Sequence, residues 1–175
     1  MLSFHELMRG FRSLELGPDA PVLVHTSVKA FGEIRGGVDT LLGALLGVQP
    51  HVLAPTHTYK PMIIPEEGPA NNGIQYGSGK TQNALAEFFT PDMPADPLMG
   101  IFPEKLRLLE QAKRGAHPLL SFAGVGVDDL LVMQTVFEPL APIRKMIEKN
   151  GWVLLMGVNH TINTSLHYAE KLAGR

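Results

Sequence analysis

Trp152-Val153-Leu154-Leu155-Met156, followed by Gly157-Val158-Asn159-His160-Thr161-Ile162-Asn163-Thr164-Ser165-Leu166-His167-Tyr168-Ala169-Glu170, is the stretch that decides the fold. Five apolar residues with no polar alternation predict a strand buried on both faces, the habit of a parallel sheet. Gly157 breaks the run and a polar loop follows. A helix is expected from near Thr164, with His167 and Glu170 three residues apart on one face. Strand, loop and helix in this order make the repeating unit of an α/β domain, whose ligands sit beyond the carboxyl ends of the strands. Chemistry is therefore expected in the loop after Met156.

Working outward, Ala20-Pro21-Val22-Leu23-Val24 reads as another short buried strand, ending at His25-Thr26-Ser27. Val52-Leu53-Ala54-Pro55 is a third, with Thr56-His57-Thr58-Tyr59 as its polar exit, and Leu119 to Gly124 a fourth. Helices are predicted between them. Ser3 and Glu6 have capping-box spacing before Phe4, Leu7, Met8, Phe11 and Leu14, which recur at helical period. Further helices are expected at Val38–Leu46, Gln82–Phe89, Pro103 to about Lys113, Val127–Thr135 and Pro142–Lys149. Lys60 to Thr81, broken by prolines and glycines, reads as a long irregular loop of the kind that is usually functional. The alternation predicts an α/β fold with a mainly parallel, mixed sheet flanked by helices, as a single domain over residues 1–175.

Composition removes several classes. With 45% hydrophobic and 18% charged residues the chain can bury a core, and a net charge of -2 with no basic face argues against nucleic acid. It has no cysteine, which excludes disulfides, thiolate zinc sites and a cysteine nucleophile and suits a reducing compartment. Neither a secretion signal nor an apolar run of the roughly 20 residues needed to span a bilayer is visible, so no membrane partner is expected and a cytoplasmic location is the default. Gly79-Lys80-Thr81 fails as a phosphate loop, because that pattern needs glycine where Ile74 stands.

The remaining candidates are polar residues at predicted strand ends. His25-Thr26-Ser27 could hold a carbonyl or phosphate oxygen, or serve simply as a turn and helix cap. His167 beside Glu170 has the form of a general base with a carboxylate that fixes its tautomer. His57, His117 and His160 flank strands and could converge on the same edge, and Asn163 stands where a helix N-cap or a substrate ligand would. A zinc site of histidines plus Glu170 stays open, although no H-E-x-x-H is present.

These residues resemble a known pattern. His25-Thr26-Ser27-Val28-Lys29-Ala30-Phe31-Gly32, with Gly36-Gly37 after it, resembles the opening motif of the aminoglycoside 3-N-acetyltransferase family, which is distinct from the GNAT acetyltransferases. Asn83 to Phe89 is similar to its middle helix, His117-Pro118 with Ser121 to its His-Pro-x-x-Ser element, and Leu154 to Glu170 to its closing motif. The resemblance implies an α/β/α sandwich and acetyl transfer from acetyl-CoA to a small-molecule amine, such as the 3-amino group of a 2-deoxystreptamine antibiotic. It further implies that His25, Thr26, Ser27, Val28 and Lys29 contact the coenzyme and that His167 and Glu170 are the base and its partner. His57, His117, His160 and Asn163 would then bind substrate, and no metal is required. Backbone N–H groups near Ser27 become candidates to stabilise the oxyanion. Transfer would be direct, without an acyl-enzyme.

Three departures stand out. Thr161 occupies a position where the family pattern has an acid, Gln82-Asn83 replaces Met-Gly, and the chain stops five residues after Glu170 where the pattern continues. The domain is accordingly expected to lack a C-terminal portion. A catalytically impaired coenzyme-binding relative and a zinc-dependent amidohydrolase are the alternatives, and the sequence does not distinguish a monomer from a homodimer.

Overall fold

The computed structural model describes residues 1–70 and 74–174; Gly73, one of the glycines punctuating the Lys60–Thr81 loop, and Arg175 lie outside the described residues. Among the described residues, β1 (Val22–Thr26), β2 (Val52–Pro55), β3 (Lys113–Arg114), β4 (Phe122–Val125) and β5 (Trp152–Met156) form one sheet ordered β3-β4-β2-β1-β5. β1 runs parallel to β2 and to β5, with Thr26 opposite Met156, whereas β4 is antiparallel to both β2 and β3. The carboxyl ends of β1, β2 and β5 thus meet the amino end of β4 at one edge. The helices are α1 (Phe4–Arg12), α2 (Gly37–Leu46), α3 (Lys80–Asn83), α4 (Ile101–Arg107), α5 (Asp128–Leu131), α6 (Ala141–Glu148) and α7 (Ser165–Leu172).

Side chains of a strand alternate between the two faces of its sheet. Val22 and Val24 of β1 and Val52 and Ala54 of β2 pack with Leu7, Phe11, Leu41, Leu45, Phe102 and Leu106 from α1, α2 and α4. Leu23 and Leu53 face the other way, into Phe122 and the Leu130, Ile143, Met146 and Tyr168 side chains of α5, α6 and α7. All six of these β1 and β2 residues have 0% exposed surface, which is why both strands read as unbroken apolar runs. The α/β class and the helix-flanked mixed sheet hold. The capping box at α1 holds too, with the Ser3 N–H donating to Glu6 Oε2 at 2.9 Å.

β5 departs from expectation. Its apolar run predicts burial on both faces, yet Trp152 is 49% and Val153 38% exposed, because among the described residues β5 is the edge strand with only β1 beside it. An apolar run encodes affinity for a neighbour without stating which neighbours are present.

Other boundaries moved for local reasons. β4 begins at Phe122 because the N–H groups of Leu119 and Leu120 donate to His117 Nδ1, at 3.1 and 2.9 Å, and turn the chain. The helix expected at Gln82–Phe89 is confined to α3. There the Asn83 amide pairs with both the N–H and the carbonyl of Ile64, each at 2.8 Å, and Leu85 and Phe88 beyond it are exposed. α4 and α5 are shorter than expected. β3, made of two basic residues, carried no strand signal and owes its conformation to pairing with β4.

Trp152 is the chain's sole tryptophan, so the exposure of β5 has an optical readout. Steady-state emission is expected in the red-shifted range of a hydrated indole and quenchable by acrylamide. A blue-shifted, protected signal would show the strand to be covered.

Candidate active site at the strand ends

Three loops converge beyond the carboxyl edge. After β1 the chain makes a 3-10 turn at Val28–Phe31, after β2 it leaves through residues 56–59, and after β5 it passes Gly157 and a 3-10 turn at His160–Ile162 into α7. Gly157 has φ 69°, a left-handed backbone, and a Cβ there would overlap that of Ala30 and stand 3.2 Å from the Ser27 carbonyl. The glycine lets the two loops touch. They are also stitched by hydrogen bonds: the Ser27 N–H donates to the Met156 carbonyl at 2.9 Å, and the Thr164 N–H to His25 Nε2 at 3.3 Å.

Between these loops lies a cavity of about 700 Å³, lined by His25, Thr26, Ser27, Val28 and Lys29 after β1, by His57 and Tyr59 after β2, and by His167 of α7. Its far wall is the Pro97–Met99 turn and the start of α4. Asp96 shapes that wall, its side chain accepting from the Leu98 N–H at 2.9 Å while its own N–H donates to the His57 carbonyl at 2.7 Å. Sequence reasoning missed Tyr59 and this wall. The Asp96-Pro97 pair, a turn-initiating dipeptide, was the available signal.

His167 Nδ1 is 2.9 Å from Glu170 Oε2, with 70% and 59% of the two side chains exposed. An exposed pair of this kind contributes little to folding, but it orients the ring and leaves Nε2 outside the pair. His25 and His57 are instead buried at 4% and 6% exposure. Burial pushes each down to about 4, helped for His57 by the neighbouring His25, His167 and His117, so both are neutral imidazoles at ordinary pH. Burial raises the Tyr59 phenol, with Asp96 adding to the effect, so it stays protonated. Thr26 and Ser27 do not serve as caps. Ser27 precedes its 3-10 turn without a side-chain cap bond, and Thr26 Oγ1 is buried with no partner among the described residues.

Four candidates do not line the cavity: Glu170, which reaches it only through His167, and His117, His160 and Asn163. His117 is occupied by the Leu119 and Leu120 N–H groups in the turn before β4, where burial lowers it against an opposing contact with the Val136 backbone. That turn is cross-linked to the exit of β2 by Thr58 Oγ1 donating to the Pro118 carbonyl at 2.5 Å and Ser121 Oγ to the Thr56 carbonyl at 2.7 Å. His160 is exposed, its Nδ1 3.3 Å from Asn163 Nδ2. Asn163 Oδ1 accepts from the N–H and hydroxyl of Ser165, at 3.1 and 2.7 Å, at the start of α7. Of the backbone N–H groups near Ser27 expected as oxyanion donors, that of Ser27 itself is spent on Met156, because β1 and β5 stay paired to their ends. Among the described residues no three His, Asp or Glu side chains gather as a metal ion would require. Nor is any helix among them long and apolar enough to cross a membrane.

Fold and site together define an α/β protein with a strand-end cavity and a histidine–carboxylate pair at its rim. The family described as aminoglycoside 3-N-acetyltransferase matches residues 23–175, and the chain belongs to it. Aminoglycoside N(3)-acetyltransferase IV of a Salmonella species is 29% identical over 175 residues, covering 96% of this chain and 58% of that protein. The crystal structure of aminoglycoside acetyltransferase AAC(3)-Xa superposes with TM-score 0.79 at 26% identity, over 98% of this chain and 61% of that one. The sisomicin-bound structure of AAC-VIa gives 0.75 at 29% identity, over 97% and 64%. The chain spans less than two thirds of the length of these relatives.

The buried histidines set a pH dependence. Their ordinary value is 6.5 and their folded value about 4, so the unfolded chain takes up protons first as pH falls. Stability is full above about 6.5 and is lost as pH falls toward about 4, by up to ~1.4 kcal/mol per pH unit for each group. Thermal melts across this range are expected to show that decline, and a shallower one in His57→Gln. Gly157→Ala is expected to lower urea-measured stability by at least about 1–2 kcal/mol from its left-handed backbone alone.

Proposed function

We propose that this chain is an N-acetyltransferase that moves the acetyl group of acetyl-CoA directly to a small-molecule amine. The observation that carries the reading is the His167–Glu170 pair at the rim of the strand-end cavity. Glu170 holds Nδ1, so Nε2 can take the proton the amine loses as it attacks the thioester carbonyl. Lys29, in the 3-10 turn after β1, brings a cation to the cavity lining, where it would meet a coenzyme phosphate. Thr26, Ser27 and Val28 would flank its pantetheine arm. The sequence contains no cysteine, and Ser27 makes no hydrogen bond to a histidine that could activate it, which supports direct transfer over an acyl-enzyme. Use of acetyl-CoA suits the cytoplasm, where that thioester is available.

The names of its relatives make the 3-amino group of an aminoglycoside the leading acceptor. One observation favours a second reading, a less cationic amine. Among the described residues no carboxylate lines the cavity, whereas a polycation is best held by several. A panel running from simple amines to 2-deoxystreptamine antibiotics separates the two by kcat/KM.

His167→Ala is expected to lower kcat by roughly 10²–10⁴-fold with an unchanged melting temperature, while Glu170→Gln has a smaller effect on kcat. In single-turnover experiments without amine no acetylated protein should accumulate. Labelled acetyl on the chain under those conditions would overturn direct transfer, and turnover unaffected by His167→Ala would overturn the base assignment.

A further inference from the structure

Of the backbone N–H groups near Ser27, that of Ser27 itself is committed to Met156, and among the described residues a buried polar atom elsewhere in the cavity is without a partner. His57 is 6% exposed and lines the cavity, and its Nε2 makes no hydrogen bond among the described residues. A buried imidazole nitrogen left unpaired costs free energy unless something fills it.

Strand geometry says which part of the cavity this atom serves. Along β1, Val24 faces the α2 layer and Leu23 the α7 layer, so Thr26 continues the first set and His25 the second. His25 accordingly meets Thr164 at the start of α7. The His57 ring stands edge-on to Phe122 of that same layer, centroids 5.6 Å apart, and edge-on to Tyr59 at 6.4 Å. It is therefore fixed on the side of the sheet that carries His167, while the unpartnered Thr26 hydroxyl lies on the other. His167 and His25 both act on it electrostatically, and burial keeps it neutral with one N–H to give.

We propose that the His57 imidazole donates a hydrogen bond from Nε2 to the acyl carbonyl oxygen, making it a catalytic donor for the transfer. This deepens the acetyltransferase reading and rests on it. The amine nitrogen forms the C–N bond as the carbonyl pair shifts onto oxygen, where the His57 N–H stabilises the charge. The pair returns as the C–S bond breaks and the electrons leave with the coenzyme thiolate. The amine proton passes to His167 and on to that thiolate. A neutral imidazole suits this task, because it donates without bringing a proton acidic enough to be lost to the intermediate.

The test uses acetonyl-CoA, the ketone that cannot transfer its acyl group, labelled with ¹³C at the carbonyl. Bound to the wild-type chain, the carbonyl resonance is expected downfield of its position in free solution. In His57→Phe it should return towards the free value, and in His57→Gln, which can still donate, part of the shift should remain. Turnover should fall about 10²–10³-fold in His57→Phe with KM for acetyl-CoA little changed, and Gln should recover part of it. The wild-type chain with ¹⁵N-histidine gives a reading independent of any effect of Phe on the fold: the His57 Nε2 resonance should shift on ketone binding and remain protonated. A bound ketone whose resonance ignores both substitutions, or an unprotonated His57 Nε2, overturns the proposal and leaves the acetyltransferase reading intact. Failure of the wild-type chain to bind the ketone overturns both.

Discussion

The structure depends on the parallel register of β5 against β1. With Thr26 opposite Met156, the two strands end together, and the ladder continues one step further through the Ser27 N–H. That alignment puts the loop after β1 and the loop leading to α7 on the same edge at the same height. Were β5 shifted by two residues, its side chains would keep their faces, but the start of α7 would no longer meet His25. The Thr164–His25 bond and the position of His167 over the cavity both follow from this one pairing. The antiparallel β4 completes the edge from the other side by bringing Ser121 and Pro118 to the exit of β2.

Much of this was legible because burial on both faces leaves a plain trace. β1 and β2 are enclosed by helices on each side, and their apolar runs say so. The same trace misled at β5, where an equally apolar run lies at the sheet edge. β3 was invisible, since Lys113 and Arg114 have no strand preference and form a ladder only because β4 offers one. Boundaries failed where side chains captured the backbone. His117 accepts two N–H groups that a strand would have used, and Asn83 clips Ile64 where the helix was expected to continue.

The site was legible in its parts more than in its arrangement. Spacing alone puts His167 and Glu170 on one helical face, and they do meet. Which other histidines join them is a matter of chain path. His57 reaches the cavity, while His117, His160 and Asn163 are engaged in local turns. The sequence presents seven histidines as equals. The fold separates them by burial: His25, His57 and His117 are buried, His51 is partly buried, and His5, His160 and His167 are exposed, with His167 paired to Glu170.

Gly157 and Ala30 meet at the seam between the two loops with nothing longer than a methyl group between their backbones. Elsewhere in the core a displaced element can be absorbed by a neighbouring side chain changing rotamer. Here no rotamer is available to take up the slack. The turn after β1 and the segment leading into α7 are consequently geared together. A side chain added at Gly157 would part the turn after β1 from the segment leading into α7, and with it the edge of the cavity that carries His167.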